Sequence, residues 1–95
     1  MKAKRYTIYV EEIAGSMPDI DQFASIYLEC YTLNRVQGTW QGKPERSVKI
    51  ENVCLEELLF ETRRAAVHML ANQLKKCLHQ EAVLVTEEDI EAEMV

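Results

Sequence analysis

The chain has 95 residues, 47% of them hydrophobic and 28% charged, the composition of an ordinary soluble globular protein and enough for one compact domain over residues 1–95. The formal net charge of -5 argues against nucleic-acid binding, because phosphate neutralisation needs clustered cations and the positive residues are scattered from Lys2 to Lys76. No apolar run approaches the roughly 20 residues that cross a bilayer, and basic Met1–Arg5 leads into an alternating segment rather than an apolar signal core. A cytoplasmic protein with no membrane partner is expected.

Arg5 to Glu11 alternates, with Tyr6, Ile8 and Val10 on one face and Thr7, Tyr9 and Glu11 on the other, which predicts a strand. Glu12 to Gly15 turns the chain. Ser16-Met17-Pro18-Asp19 reads as a helix start: Ser16 as cap, Pro18 in the first turn and Asp19 completing a capping box. Ile20, Phe23, Ala24, Tyr27 and Leu28 follow at helical spacing.

From Tyr31 the period shortens. Val36, Gly38 and Trp40 alternate with Arg35, Gln37 and Thr39; Gln41-Gly42-Lys43-Pro44 signals a reversal; Arg46 to Asn52 returns as a strand with Val48 and Ile50 inward. Leu55, Leu58, Leu59, Thr62, Ala66, Met69, Leu70, Leu74, Cys77 and Leu78 then hold the 3,4 spacing of a long helix, acidic at its start and basic at its end. Ala82 to Thr86 is apolar on both faces and predicts a short strand. Asp89 to Val95 alternates again, predicting an extra C-terminal strand, with a short helix as the alternative.

The order strand, helix, strand, strand, helix, strand folds most simply as an α+β ferredoxin-like βαββαβ sandwich, one sheet with two helices on one face. The other face would carry Thr7, Tyr9, Ser47 and Lys49, together with Ala82 and Leu84 or Val83 and Val85. An apolar and aromatic face of that kind needs a cover, so a homo-oligomer is expected.

Chemistry-bearing motifs are sparse. There is no Gly-x-Ser-x-Gly, phosphate loop or His-Glu-x-x-His. Cys30, Cys54 and Cys77 form no Cys-x-x-Cys pair and lie at no finger-like spacing from His68 or His79, so no metal site is expected. Cys30 and Cys77 fall in helical patterns and read as small buried hydrophobes in a reducing compartment. His68 and His79 read as partly exposed helical histidines, and Glu87 to Glu93 as a solvated terminus. The hairpin carries more: Gly38 permits close backbone approach, Trp40 offers a stacking surface, and Glu45 is a carboxylate able to hold a cationic ligand.

Gly38-x-Trp40, then Glu45-x-Ser47-Val48-Lys49-Ile50, then a long helix ending in Gln80-x-x-Val83-Leu84-Val85, resembles the small phage-encoded S-adenosylmethionine lyases. That resemblance implies a ferredoxin-like or PII-like core, a trimer, and a ligand held between subunits in the host cytoplasm. It implies Glu45 as the functional glutamate, with Gly38, Trp40, Ser47 and Gln80 at the ligand site. Trp40 stands where the family carries a tyrosine, and the loop from Trp40 to Glu45 is shorter than the family's. The implied reaction converts S-adenosylmethionine to methylthioadenosine and homoserine lactone, with no cofactor; a non-catalytic relative that binds a small ligand between subunits fits the same resemblance. The runner-up is a non-enzymatic phage-type interaction protein whose acidic surface engages a host defence protein.

Overall fold

The computed structural model describes residues 1–95. Strand β1 (Lys2–Glu11) is followed by helix α1 (Met17–Tyr27), strands β2 (Thr32–Trp40) and β3 (Lys43–Cys54), a single 3-10 turn (Glu57–Leu59), helix α2 (Phe60–Cys77) and strand β4 (Leu84–Glu91). The strands form one antiparallel sheet in the order β2-β3-β1-β4, the ferredoxin-like arrangement that the chain order predicts. Tyr6, Ile8 and Val10 of β1 and Val48 and Ile50 of β3 point to the helices and are fully buried, as their alternation requires. Ile20, Ala24 and Leu28 of α1 meet them in one core cluster.

Helix α2 buries part of the predicted stripe: Leu70, Leu74 and Leu78 enter the core as expected, joined by Val67 and Ala71. The buried face is turned by about one residue, so Met69 and Cys77 face outward. Leu58, 96% exposed, and Leu59 precede the helix, in the 3-10 turn Glu57–Leu59, and so do not extend its stripe. Cys30 is exposed too; of the three thiols it is Cys54 that is buried.

The C-terminal region forms one strand, not two. β4 runs unbroken from Leu84 to Glu91, and residues 92–95 add no further strand. The charges at Glu87 to Asp89 do not end it because each finds a cationic neighbour. Arg64 grips Glu87 through Nε and Nη2 at 2.6 and 3.0 Å, Lys4 donates to both Glu87 and Asp89, and Arg5 lies 3.7 Å from Glu88. The Arg64 guanidinium, then Lys4, hold the Glu87 carboxyl below the usual glutamate range.

Two helix ends depart from their sequence signals. Ser16 forms no side-chain cap; its hydroxyl donates to the Ile13 carbonyl at 2.6 Å, and its own carbonyl already accepts the Ile20 N–H. At the other end, α2 closes in a Schellman motif. Gln80 N–H bonds Lys75 O at 2.9 Å and His79 N–H bonds Lys76 O at 3.4 Å, with His79 held at φ 52, where glycine is the usual occupant. His79 is thus a helix terminator.

The sheet face opposite the helices is not the continuous apolar surface expected. Leu84 and Thr86, not Val83 and Val85, lie on it, opposite Tyr9 and Thr7. One end is an internally compensated charge cluster, with Arg5 3.9 Å from Glu51 and Lys49 3.5 Å from Glu51. Thr7 sits beneath these long side chains at 2% exposure. The apolar residues form no single patch: Tyr9 and Leu84 share the Lys49 rung beside that cluster, whereas Val36 and Trp40 lie toward the hairpin turn.

Candidate functional site on the open sheet face

The β2–β3 hairpin turns through two residues, Gln41 and Gly42, at φ 52 and 78. Two successive positive φ values match the right-handed twist of the strands and hold them in tight register. Pro44 therefore lies inside β3 rather than in the turn, opposite Thr39. From the turn inward, Trp40 opposes Lys43, Gly38 opposes Glu45 and Val36 opposes Ser47. Directly opposed residues share a face and successive residues alternate, so these six side chains, or the gap at Gly38, all lie on the open face.

Four of the five residues singled out by sequence are thereby brought together. Trp40 is a diagonal neighbour of Glu45, about 7–8 Å away along the ladder. Its indole is 62% exposed. Gly38 leaves a notch directly across from Glu45, with Trp40 and Val36 on either side. A Cβ built on Gly38 would meet nothing within 4 Å, and its φ is not in the left-handed region, so the chain's own structure does not require glycine there. Glu45 is half-buried and forms no ion pair or hydrogen bond, in contrast to Glu51 six residues along β3 on the same face. The arrangement is a carboxylate with free acceptors, a stacking surface and an open notch, which suits a small cationic ligand.

Gln80 is placed elsewhere. Pairing of β1 with β4 stops at Tyr9 and Leu84, which leaves the Glu11 N–H without a strand partner. Gln80, 9% exposed, supplies one: its Oε1 accepts that N–H at 3.2 Å. Gln80 thus lies on the β4 side of β1 and Glu45 on β3, separated within one chain by about 10 Å, two strand spacings. Tyr9 on β1 and Leu84 on edge strand β4 share the open face at the Lys49 rung, two rungs from the Gly38–Glu45 pair.

The other face of the same hairpin holds a second feature. Glu12, Arg35, Val36, Gln37 and Arg46 line a groove of about 410 Å³. Arg35 donates to Glu12 Oε1 at 2.7 Å. This groove and the Trp40–Glu45 cluster are back to back. No group of three or more His, Cys, Asp or Glu side chains converges closely enough to hold a metal ion.

The fold and the site define a class: a small ferredoxin-like α+β protein with a free carboxylate, an exposed tryptophan and a notch on the open face of its β2–β3 hairpin. Comparison with solved structures agrees on the fold. The chain superposes on a phage S-adenosylmethionine lyase solved with S-methyl-5′-thioadenosine, with TM-score 0.68 and 22% identity over 98% of this chain and 92% of that one. The same class of phage enzyme in its apo state gives TM-score 0.59 and 20% identity over 99% and 91% of the two chains. A nitrogen regulatory PII-like protein from Thiomonas intermedia K12, bound to ADP, AMP and bicarbonate, gives TM-score 0.62 and 12% identity over 100% and 97%. No protein-family profile and no curated protein sequence matches the chain. At these identities the likeness is one of fold.

Proposed function

We propose that this protein is an S-adenosylmethionine lyase of the phage type, acting on a ligand held at the open-face end of its hairpin between subunits of a homo-oligomer. The observation that carries the reading is the opposition of Gly38 and Glu45: a free carboxylate facing a notch that the chain's own packing leaves unexplained. The fold shared with a phage lyase that binds S-methyl-5′-thioadenosine supports it.

The reaction asks little of the protein. A carboxylate oxygen of the substrate attacks the methionine-arm carbon bonded to the sulfonium. That C–S bond breaks, and its electron pair returns to sulfur as the neutral thioether methylthioadenosine. The arm closes to homoserine lactone with its ammonium intact, so no proton is transferred. What accelerates the step is orientation: Glu45 holds the α-ammonium, Trp40 and Val36 wall the site, and Ser47 offers a hydroxyl beside them. A neighbouring subunit would close the pocket over Trp40 and Val36, and would bring its own Gln80 end to the notch that Gln80 of the same chain does not reach. Incubating the pure protein with S-adenosylmethionine and separating the products by chromatography tests the reading. Light scattering tests the assembly, which requires a mass well above the 11.0 kDa of one chain and, for the trimer, three times it.

A second reading keeps the fold and drops the chemistry. The net charge of -5 motivates it, since an acidic surface suits a basic host protein; the carboxylates of edge strand β4 are already paired with Lys4, Arg5, Arg64 and the N-terminus. Binding of that kind weakens sharply with salt, whereas turnover of a small molecule in a closed site does not.

A further inference from the structure

The groove on the helix side of the hairpin has no part in the reading above and stands whether or not that reading holds. Gln37 and Arg46 are directly opposed, and Arg35, two residues before Gln37 on the same face, is the diagonal neighbour of Arg46. Two like charges at this spacing destabilise a strand pair, and they stand here in a chain of net charge -5. Glu12 offsets only one of them. Its carboxylate, with the side chain 18% exposed, is fixed on Arg35 Nε, and its backbone N–H is fixed on the Arg46 carbonyl at 2.8 Å. The terminal nitrogens of Arg35 and the whole Arg46 guanidinium have no protein partner. With Gln37 they line about 410 Å³ of open groove, a volume within the range of small-ligand sites.

We propose that this groove is a binding site for a small monocarboxylate. The two guanidinium groups less the Glu12 carboxylate leave a single positive charge, which a carboxylate neutralises and a phosphate dianion overshoots. Planar guanidinium forks also match the two oxygens of a carboxylate. Glu12 acts as a positioning residue: it ties down Arg35 Nε and leaves both Nη groups free to donate.

The test is a nuclear magnetic resonance titration of the arginine Nε–Hε signals with sodium acetate at constant ionic strength, chloride making up the balance. Arg63, which forms no ion pair, serves as the internal reference. Arg35 and Arg46 should shift saturably and together while Arg63 drifts little. Arg46→Gln should weaken the apparent affinity at Arg35 about tenfold or more, the loss expected when a charge-assisted pair is removed. Arg46→Lys, which keeps the charge but not the fork, should recover only part of it. Linear, unsaturable shifts, an equal response at Arg63, or tighter binding of inorganic phosphate than of acetate would each overturn the proposal.

Discussion

Gly38 and Glu45 face each other across the β2–β3 ladder, and a methyl group on Gly38 would touch nothing in the chain. Mid-strand glycine costs roughly 0.5–1 kcal/mol relative to alanine, and here no turn or close internal packing accounts for it. Glycine in a strand commonly marks the approach of a ligand or another backbone. Gly38→Val should therefore leave the isolated fold as stable or more stable by about 0.5–1 kcal/mol, yet impair turnover or assembly. Chemical denaturation read beside product formation separates the two effects. A destabilised fold, or a stable variant with full activity and assembly, would count against the notch.

His79 predicts a gain. It occupies the left-handed position of the Schellman motif at φ 52, a conformation that costs a residue with a side chain about 1–2 kcal/mol and glycine almost nothing. His79→Gly should raise stability by about 1 kcal/mol in urea unfolding without changing the slope. A loss would mean that the imidazole makes a stabilising interaction that outweighs the strain.

Where the α2 stripe begins is open to direct measurement. Leu70 is fully buried in the core cluster and Leu58 is 96% exposed. Leu70→Ala should cost about 3–5 kcal/mol through lost burial and a cavity, whereas Leu58→Ala should stay within about 0.5 kcal/mol. Equal costs would place Leu58 in an interface between copies of the chain.

These cases show what the sequence carries. Period-2 alternation made β1 and the inward set Tyr6, Ile8, Val10, Val48 and Ile50 legible, because core burial enforces that alternation. The face of α2 was legible in part: Leu70, Leu74 and Leu78 followed from the spacing, whereas Leu58 and Leu59 did not, since a three-residue 3-10 turn leaves no strong mark in composition. Nor was the continuity of β4, where Glu87 and Asp89 look like a solvated tail until Lys4 and Arg64 are brought beside them from distant positions. Gly38, Trp40 and Glu45 could be grouped because they flank one reversal signal, and Ser47 joined them through the family resemblance; the two-residue turn that sets their register was read as four residues, Gln41 to Pro44. Gln80 could not be separated from them, because its engagement with Glu11 depends on where β4 stops pairing.

Glu87 governs an acid-side prediction. Its carboxyl is held low, chiefly by the Arg64 hydrogen bonds and then by Lys4. A depressed carboxyl contributes stability that is fully present above the ordinary glutamate range and is lost as pH falls through the folded value. Glu87→Gln should therefore cost about 1 kcal/mol at neutral pH, a modest figure for a partly exposed network, and should flatten the loss of stability on acidification. Thermal midpoints between neutral pH and pH 3 give the comparison; parallel curves for the two proteins would contradict the linkage.

The central claim, that Glu45 holds the ammonium of a sulfonium substrate, is tested most directly by methylthioadenosine formation from S-adenosylmethionine by the wild-type protein, Glu45→Gln and Glu51→Gln. Glu45 has no partner in the chain, whereas Glu51 is engaged by Arg5 and Lys49 on the same face. The expected result is product with the wild type, a loss of tenfold to a hundredfold, about 1.5–3 kcal/mol, in Glu45→Gln, and a much smaller loss in Glu51→Gln. No methylthioadenosine from the wild-type protein, or equal losses in the two variants, would contradict it.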